Sequence, residues 1–486
     1  MSRSTNVRRS CRTSRRNGIC CAGPALLALL AACGPAEEEP ADRAPESNTE
    51  AVAVAHGIDP ATIETRPPLV TRLLIVALDG ATWKWMDPLM AAGQLPNLAG
   101  LVESGARAEL TTLEPTVSPA IWTTIATGFL PERHGILGFD GVPGLSMQTL
   151  PNATMRQVKA FWEVLADFER TSATVGWWAS WPAEDLGPGS RLVSDRVPYT
   201  RMEAAVERAS LTSRDTHPPE LIERMAPLVE RPNDIDRAIV SHFLDFDDEE
   251  YRRLLEAPYE MGSFLPEFKF VLQSDRSSLR MARALLEESS YDVTTVYFTG
   301  IDTVSHLFWH FAHPDEFPNV PISAGDRRRY GAVIERYYEL VDEYLGELLA
   351  ASGPETTVLV VSDHGFGGTG RVPWSGGHGR LTPGAPIAPR GVLVIAGPGA
   401  AAGTTLERAH VLDVAPTVLH LMGVPASEEM LGRVLADALD PALASELPRV
   451  ETLEAIGRIR SVGAFPQDLG GDAERLERLR ALGYIQ

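Results

Sequence analysis

The stretch TTVLVVSDHGFG, Thr356 to Gly367, decides how this chain folds. It opens as a run of β-branched and apolar residues, too short and too β-rich for a helix. That pattern predicts a strand buried on both faces, as in a parallel sheet. The run stops at Asp363 and His364, and Gly365 follows to allow a turn. A buried strand that ends in a carboxylate and an imidazole sets two metal-ligand types at the carboxyl edge of a sheet. Open α/β folds bind their ligands at that edge. An ordinary turn with a chance histidine would look the same here, so the rest of the chain has to decide.

A second buried-strand pattern, RLLIVALD, runs from Arg72 to Asp79 and is followed by Gly80. Again a carboxylate stands where a strand ends. Leu89 to Ser104 reads as a helix with the LPNL turn inside it. In PTVSPAIWTTIATGFLPERHGILGF, Pro115 to Phe139, Ser118 followed by Pro119 marks a helix start. Ser118 is then either a plain helix cap or a nucleophile at a helix N-terminus, where free N–H groups favour an anionic transition state. A serine hydroxyl needs a base or a metal to attack near neutrality. No serine–histidine–aspartate spacing is evident, whereas metal-ligand types are.

Thr174–Trp181, Arg191–Val197, DVTTVYFTG (Asp292–Gly300) and GVLVIAG (Gly391–Gly397) are further strand candidates. Asp302 and His306 follow the third of these four residues apart, a spacing that puts both on one face of a helix, able to share a metal. His310 and His313, in HLFWHF, read as packed or surface imidazoles rather than ligands. Residues 200–290 turn charged and helical, with candidate helices at Tyr199–Ser210, Pro219–Leu228, Pro232–Asp245 and Ser277–Ser289. This segment reads as a helical cap inserted into an α/β body. Its acidic run, Asp245 to Glu250, lacks the glycine and spacing of a calcium loop and reads as a solvated helix start. Tyr330–Leu348 carries apolar residues at helical spacing and reads as a core-packing helix.

The formal net charge is −21, and six arginines lie in the first 32 residues without an acid, so the remainder is more acidic still. Such a surface disfavours non-specific nucleic-acid binding. An anionic substrate would need local positive charge, which bound cations supply. The four cysteines, Cys11, Cys20, Cys21 and Cys33, all stand at the start, so the body has no disulfide framework. Basic residues, the apolar run Ile19–Ala32 and small residues before Cys33 describe an export signal over residues 1–32. The ending LAAC resembles the lipobox of bacterial lipoproteins. That resemblance implies a lipid anchor at Cys33 and a place on the bacterial cell envelope. Residues 33–68 read as a Pro/Ala/Glu-rich tether and 441–486 as a helical tail.

The ordered set of motifs resembles the type I phosphodiesterase/nucleotide pyrophosphatase family of the alkaline phosphatase superfamily. The residues that carry the resemblance are LDG at 78–80, PTVSPAIWTTIATG at 115–128, PERHGI at 131–136, GIDTVSH at 300–306, SDHGF at 362–366, GGHG at 376–379 and DVAPTVLHLMGVP at 413–425. The resemblance implies an alkaline-phosphatase-like α/β fold, a mostly parallel central sheet flanked by helices, over 69–199 and 291–440, with 200–290 inserted as the cap. It implies two divalent cations, normally zinc. By position, Asp79, Asp363 and His364 match the ligands of one, which also binds the oxygen of the nucleophile Ser118. Asp302, His306 and His378 match the ligands of the other. Three carboxylates and three imidazoles in mixed sets suit zinc better than magnesium or calcium.

Nucleotide-cleaving members of the family usually use threonine as nucleophile and carry an asparagine after the HGI motif that holds a phosphoryl oxygen. Here Phe139 falls at that place, which leaves the substrate open. The expected activity is hydrolysis of a small-molecule phosphodiester through a phosphoseryl intermediate, with phosphomonoester hydrolysis by the same metals as the alternative. Arg371, Arg380 and Lys84 stand near motifs and are candidates for substrate contacts. A sulfatase is disfavoured because the body lacks a cysteine to become formylglycine, and a phosphoglycerate mutase fits poorly with an export signal. A lipoprotein that binds a ligand or an envelope partner without catalysis is the reading from a different class.

Overall fold

The structure is a computed structural model that describes residues 57–139, 150–199, 211–231, 233, 235–257, 264–369, 376–377 and 389–457. Its strands are β1 (Arg72–Leu78), β2 (Ala106–Thr111), β3 (Ser172–Val175), β4 (Arg191–Val193), β5 (Thr216–His217), β6 (Val293–Phe298), β7 (Thr356–Val361), β8 (Gly367–Gly368), β9 (Gly376–Gly377), β10 (Gly391–Ala396), β11 (Thr404–Thr405) and β12 (Ala409–His410). Ten of them form one sheet in the order β11-β2-β10-β7-β1-β6-β3-β4-β5, with β12 also on β2. The run β7-β1-β6-β3-β4 is parallel throughout. Strand β10 joins β7 antiparallel, and β5 closes the far side antiparallel to β4. The short β8 and β9 pair only with each other.

The three central strands are buried along nearly their whole length, which explains their continuous apolar sequences. Alternation then divides their side chains between two cores. Leu74, Val76 and Leu78 of β1, Val296 and Phe298 of β6, and Val358 and Val360 of β7 enter one core. Leu73, Ile75 and Ala77, with Val293 and Tyr297 and with Leu359 and Val361, enter the other. The second face is covered by the Ser118–Thr127 helix through Ile121, Trp122 and Ile125. The first face is covered by the helices Phe264–Glu288, Gly300–Ala312 and Val333–Ser352.

Several boundaries differ from the sequence reading, each for a local reason. The expected helix Leu89–Ser104 is two helices, Trp83–Ala91 and Pro96–Ser104, because Pro96 begins a new first turn. The candidate strand Thr174–Trp181 leaves the ladder after Val175. The consecutive Trp177 and Trp178 then both turn their indole N–H groups inward, to Trp122 O at 3.1 Å and Tyr297 Oη at 2.8 Å. The candidate strand to Val197 likewise ends at Val193. Within the segment read as a cap, Pro219–Leu228 is a helical run, and the helix sought at Pro232–Asp245 is Arg237–Phe243. The acidic run is a helix start: Asp247 caps Asp248–Glu256 by accepting from the N–H groups of Glu249 and Glu250. The segment's last helix, Phe264–Glu288, begins earlier than expected and packs on the sheet rather than over it, with Phe268, Val271, Leu272, Leu279 and Leu285 in the core. The helix predicted over Tyr330–Leu348 is Val333–Ser352. No helix among the described residues is long and apolar enough to cross a membrane.

Candidate metal centre

Three neighbouring strand ends build the site. Strand β1 lies between β7 and β6, and the registers set Ala77 beside Val361 and Leu78 beside Phe298. The residues that follow, Asp79, Asp363–His364 and the turn into Asp302, therefore leave the sheet at one level. Neighbouring strands are about 4.8 Å apart, so side chains from all three can meet. Asp79 and Asp363 continue the odd-numbered alternation of their strands and emerge toward the face that carries the Ser118 helix. Asp302 and His306 come from Gly300–Ala312 on the opposite face.

His364 Nδ1 lies 3.1 Å from Gly365 O, so in the neutral ring Nδ1 carries the proton and Nε2 presents its lone pair. Around that lone pair stand Ser118 Oγ at 3.2 Å, Asp363 Oδ2 at 3.3 Å and Asp79 Oδ1 at 3.4 Å. All four residues are buried. Asp79 Oδ1 and Asp363 Oδ2 accept no hydrogen bond among the described residues. A lone pair facing two buried carboxylate oxygens is repulsive unless a cation, whether a metal ion or a proton, lies between them. Four donors at zinc bond lengths of about 2.0–2.1 Å around a tetrahedral ion would be roughly 3.3–3.4 Å apart, the spacing seen about His364 Nε2. These residues fit a metal.

Electrostatics agree. Burial first, then the charge of Asp302, pushes the Asp79 carboxyl up to about 8 despite hydrogen bonds that favour its anion. Burial and the neighbouring Asp79 and Asp302 hold the Asp363 carboxyl well above its usual range. Burial drives the His364 imidazole down to about 3. The contacts between His364 and the carboxylates are therefore not ion pairs: the ring is neutral, as a metal ligand must be.

The sequence-predicted residues converge in part. Asp79, Ser118, Asp363 and His364 form the cluster just described. Asp302 Oδ1 and His306 Nε2 are 3.6 Å apart, both buried, on successive turns of their helix. Gly80 joins the two groups: with φ +70°, a Cβ there would lie 3.0 Å from Asp302 Cα. His378, Arg371, Arg380 and Cys33 lie outside the described residues; Gly377, just before His378, pairs with Gly367. Lys84 is bound to Glu316 at 2.8 Å and is half-exposed. His310 is packed among aromatic rings and His313 against Trp85 and Trp309, as expected of structural imidazoles.

Ser118 does not cap its helix. Val117 occupies the N-cap without a side-chain bond, and the Ser118 hydroxyl points instead to His364. Three supporting residues are not singled out by the sequence: Tyr297 and Trp178 stand outside the motifs, and Trp122 stands inside the Ser118 motif without a role read for it. The Tyr297 hydroxyl donates to Asp79 Oδ2 and accepts from Trp178 Nε1 at 2.8 Å. Trp122 Nε1, one turn after Ser118, donates to the same oxygen at 3.2 Å. With Oδ2 so held, Oδ1 is turned toward His364. The signal available in sequence was a tyrosine inside a strand buried on both faces, whose hydroxyl must find a partner. Phe139 is buried edge-on to Trp178 with centroids 5.8 Å apart, so its position supplies packing and no amide.

A mostly parallel sheet with ligand-type side chains at its carboxyl edge and helices on both faces is the alkaline-phosphatase-like arrangement. The type I phosphodiesterase/nucleotide pyrophosphatase family model matches residues 73–374, and the chain belongs to that family. A 2,3-bisphosphoglycerate-independent phosphoglycerate mutase from Roseobacter denitrificans is 31% identical over 168 residues, which are 34% of this chain and 28% of the mutase. The chain thus matches under a third of that relative's length. Among solved structures, murine ectonucleotide pyrophosphatase/phosphodiesterase 5 aligns over 76% of this chain and 100% of its own at 13% identity, TM-score 0.43. The phosphonate monoester hydrolase of Silicibacter pomeroyi aligns over 78% and 77% at 14% identity, TM-score 0.42.

Proposed function

We propose that this protein is a metal-dependent phosphoester hydrolase, acting first on diesters, in which Ser118 is the nucleophile. The observation that carries the reading is the ring of oxygens 3.2–3.4 Å from His364 Nε2, with the Ser118 hydroxyl among them. Asp79, Asp363 and His364 would hold one cation; Asp302 and His306, with His378, would hold a second. The mixed donor set favours zinc. When bound, such a pair lowers the pKa of a nucleophilic hydroxyl and neutralises charge on the phosphoryl group.

The chain's own residues do the rest. The Ser118 hydroxyl stands at the start of a ten-residue helix, whose N-terminal amides favour an approaching phosphate. Attack forms the Oγ–P bond as the ester O–P bond breaks, and the proton lost from Oγ ends on the leaving alkoxide. Water then attacks phosphorus, the Oγ–P bond breaks, and a proton of that water ends on Oγ. Trp122 and Tyr297 keep Asp79 aimed, and the buried Trp177–Trp178 pair keeps those two in place. A metal-free Ser118–His364 dyad is the competing reading from the same distance. It is disfavoured because an imidazole driven down to about 3 is a weak base at neutral pH. A lipid anchor at Cys33, in residues outside the described set, would place this site at the cell envelope.

The test is acid-quenched turnover of a nitrophenyl phosphodiester and the matching monoester, followed by peptide mass spectrometry. Phosphate on Ser118, and a loss of roughly 10⁴-fold or more in kcat/KM for Ser118→Ala, are expected. Full activity in Ser118→Ala would refute the nucleophile, and activity undiminished after metal stripping would favour the dyad.

A further inference from the structure

The helix that bears Asp302 and His306 is fixed at its first turn by residues the reaction does not touch. Asp275 stands mid-helix in Phe264–Glu288, fully buried. Its Oδ1 accepts from Thr299 N at 3.0 Å and its Oδ2 from Gly300 N at 2.9 Å, so the carboxylate spans the two amides that open the ligand helix. Oδ2 also accepts from the Tyr337 hydroxyl at 2.9 Å, which comes from Val333–Ser352. The fit admits no side chain at Gly300: a Cβ there would lie 2.0 Å from Tyr337 Oη. A carboxylate at a helix N-terminus complements the dipole and satisfies amides that have no partner in the helix. Asp302 follows two residues after the second of these amides, so its direction depends on where the turn is pinned.

We infer that Asp275 and Tyr337 are positioning residues for Asp302 and His306, so that the segment between β5 and β6 contributes directly to the second cation site. This rests on the reading that Asp302 and His306 hold a cation. Both oxygens of Asp275 are engaged by Thr299 N, Gly300 N and the Tyr337 hydroxyl, so its role is orientation. Replacing it by Asn would leave one oxygen for two amides and turn an N–H₂ group toward the other. Tyr337→Phe removes one donor and leaves both amides bonded.

Zinc titration of metal-stripped full-length protein by calorimetry with a competing chelator tests the inference without reading turnover. Asp363→Ala and Asp302→Ala, each deleting one site, identify which affinity is which. In Asp275→Asn the Asp302/His306 affinity should fall by about 10–100-fold while the Asp79/Asp363/His364 affinity holds within about 2-fold. Tyr337→Phe, the milder change, should weaken the same site by a smaller factor. Two intact affinities in both variants, or an equal fall in both sites tracking a lower Tm, would overturn the inference, since a merely structural contact does not choose between sites. Wild-type protein that takes up fewer than two zinc ions would instead overturn the two-cation reading, and this inference with it.

Discussion

The two faces of the sheet supply the two halves of the site by different means. On the Ser118 face, Asp79, Asp363 and His364 extend directly from β1 and β7, strands joined along their whole length. On the other face, Asp302 and His306 ride on a helix whose orientation depends on what holds its first turn. Strand ends inherit their position from the sheet, whereas a helix at the edge must be clamped. Asp79 needs only its far oxygen held, by Tyr297 and Trp122. The helix needs a buried carboxylate from another segment.

Single changes should separate the halves. The largest effect is expected for Asp363→Ala, which removes a carboxylate of the proposed first cation site: kcat/KM on a diester should fall by roughly 10⁴-fold, without recovery in excess zinc. Recovery in zinc would place the essential ion elsewhere. Next, Tyr297→Phe should weaken zinc at the Asp79 site by about 10–100-fold and leave the Asp302 site alone, the mirror image of Asp275→Asn. Gly300→Ala should act on the other half through stability. Its methyl group meets Tyr337, so Tm should drop by an amount equivalent to about 1–3 kcal/mol; an unchanged Tm would mean that the clamp is slack.

The smallest effect is in pH dependence. The Asp79 and Asp363 carboxyls are raised in the fold relative to the unfolded chain. The folded, metal-free protein therefore holds protons that the unfolded chain releases above about pH 4. These two carboxyls make stability fall as pH rises from about 6.5 toward 8; at lower pH the buried histidines, whose protonation is disfavoured in the fold, act in the opposite direction. Zinc, which replaces those protons, should raise Tm more at pH 8 than at pH 5. Thermal scans of stripped and zinc-loaded protein at both pH values read the difference, and a zinc-induced rise in Tm that is no larger at pH 8 than at pH 5 would contradict the charge assignment.

The central strands and the carboxylates at their ends were legible because a strand buried on both faces must be apolar until it leaves the sheet. Asp79 and Asp363 stand out against that background. The Asp302–His306 pair was legible through helical spacing. The supports were not, since hydrogen bonds between residues as far apart as Asp79 and Tyr297 leave no local pattern. Asp275 did leave a trace: it occupies the stripe of Phe268, Val271, Leu272, Leu279 and Ala282, where an apolar residue is due. A carboxylate on such a stripe must be bonded inside the protein. Ser118 was read correctly as a helix-start residue, but a serine before proline gives no sign of whether its hydroxyl turns back to cap or outward to a ligand.

The most direct measurement is anomalous diffraction at the zinc edge from crystals of the full chain grown with zinc and phosphate. Two peaks are predicted, one in contact with Asp79, Asp363 and His364 and the other with Asp302 and His306, and phosphate beside Ser118 Oγ. No peak at these residues, with zinc bound elsewhere or not at all, would contradict the metal centre on which the account rests.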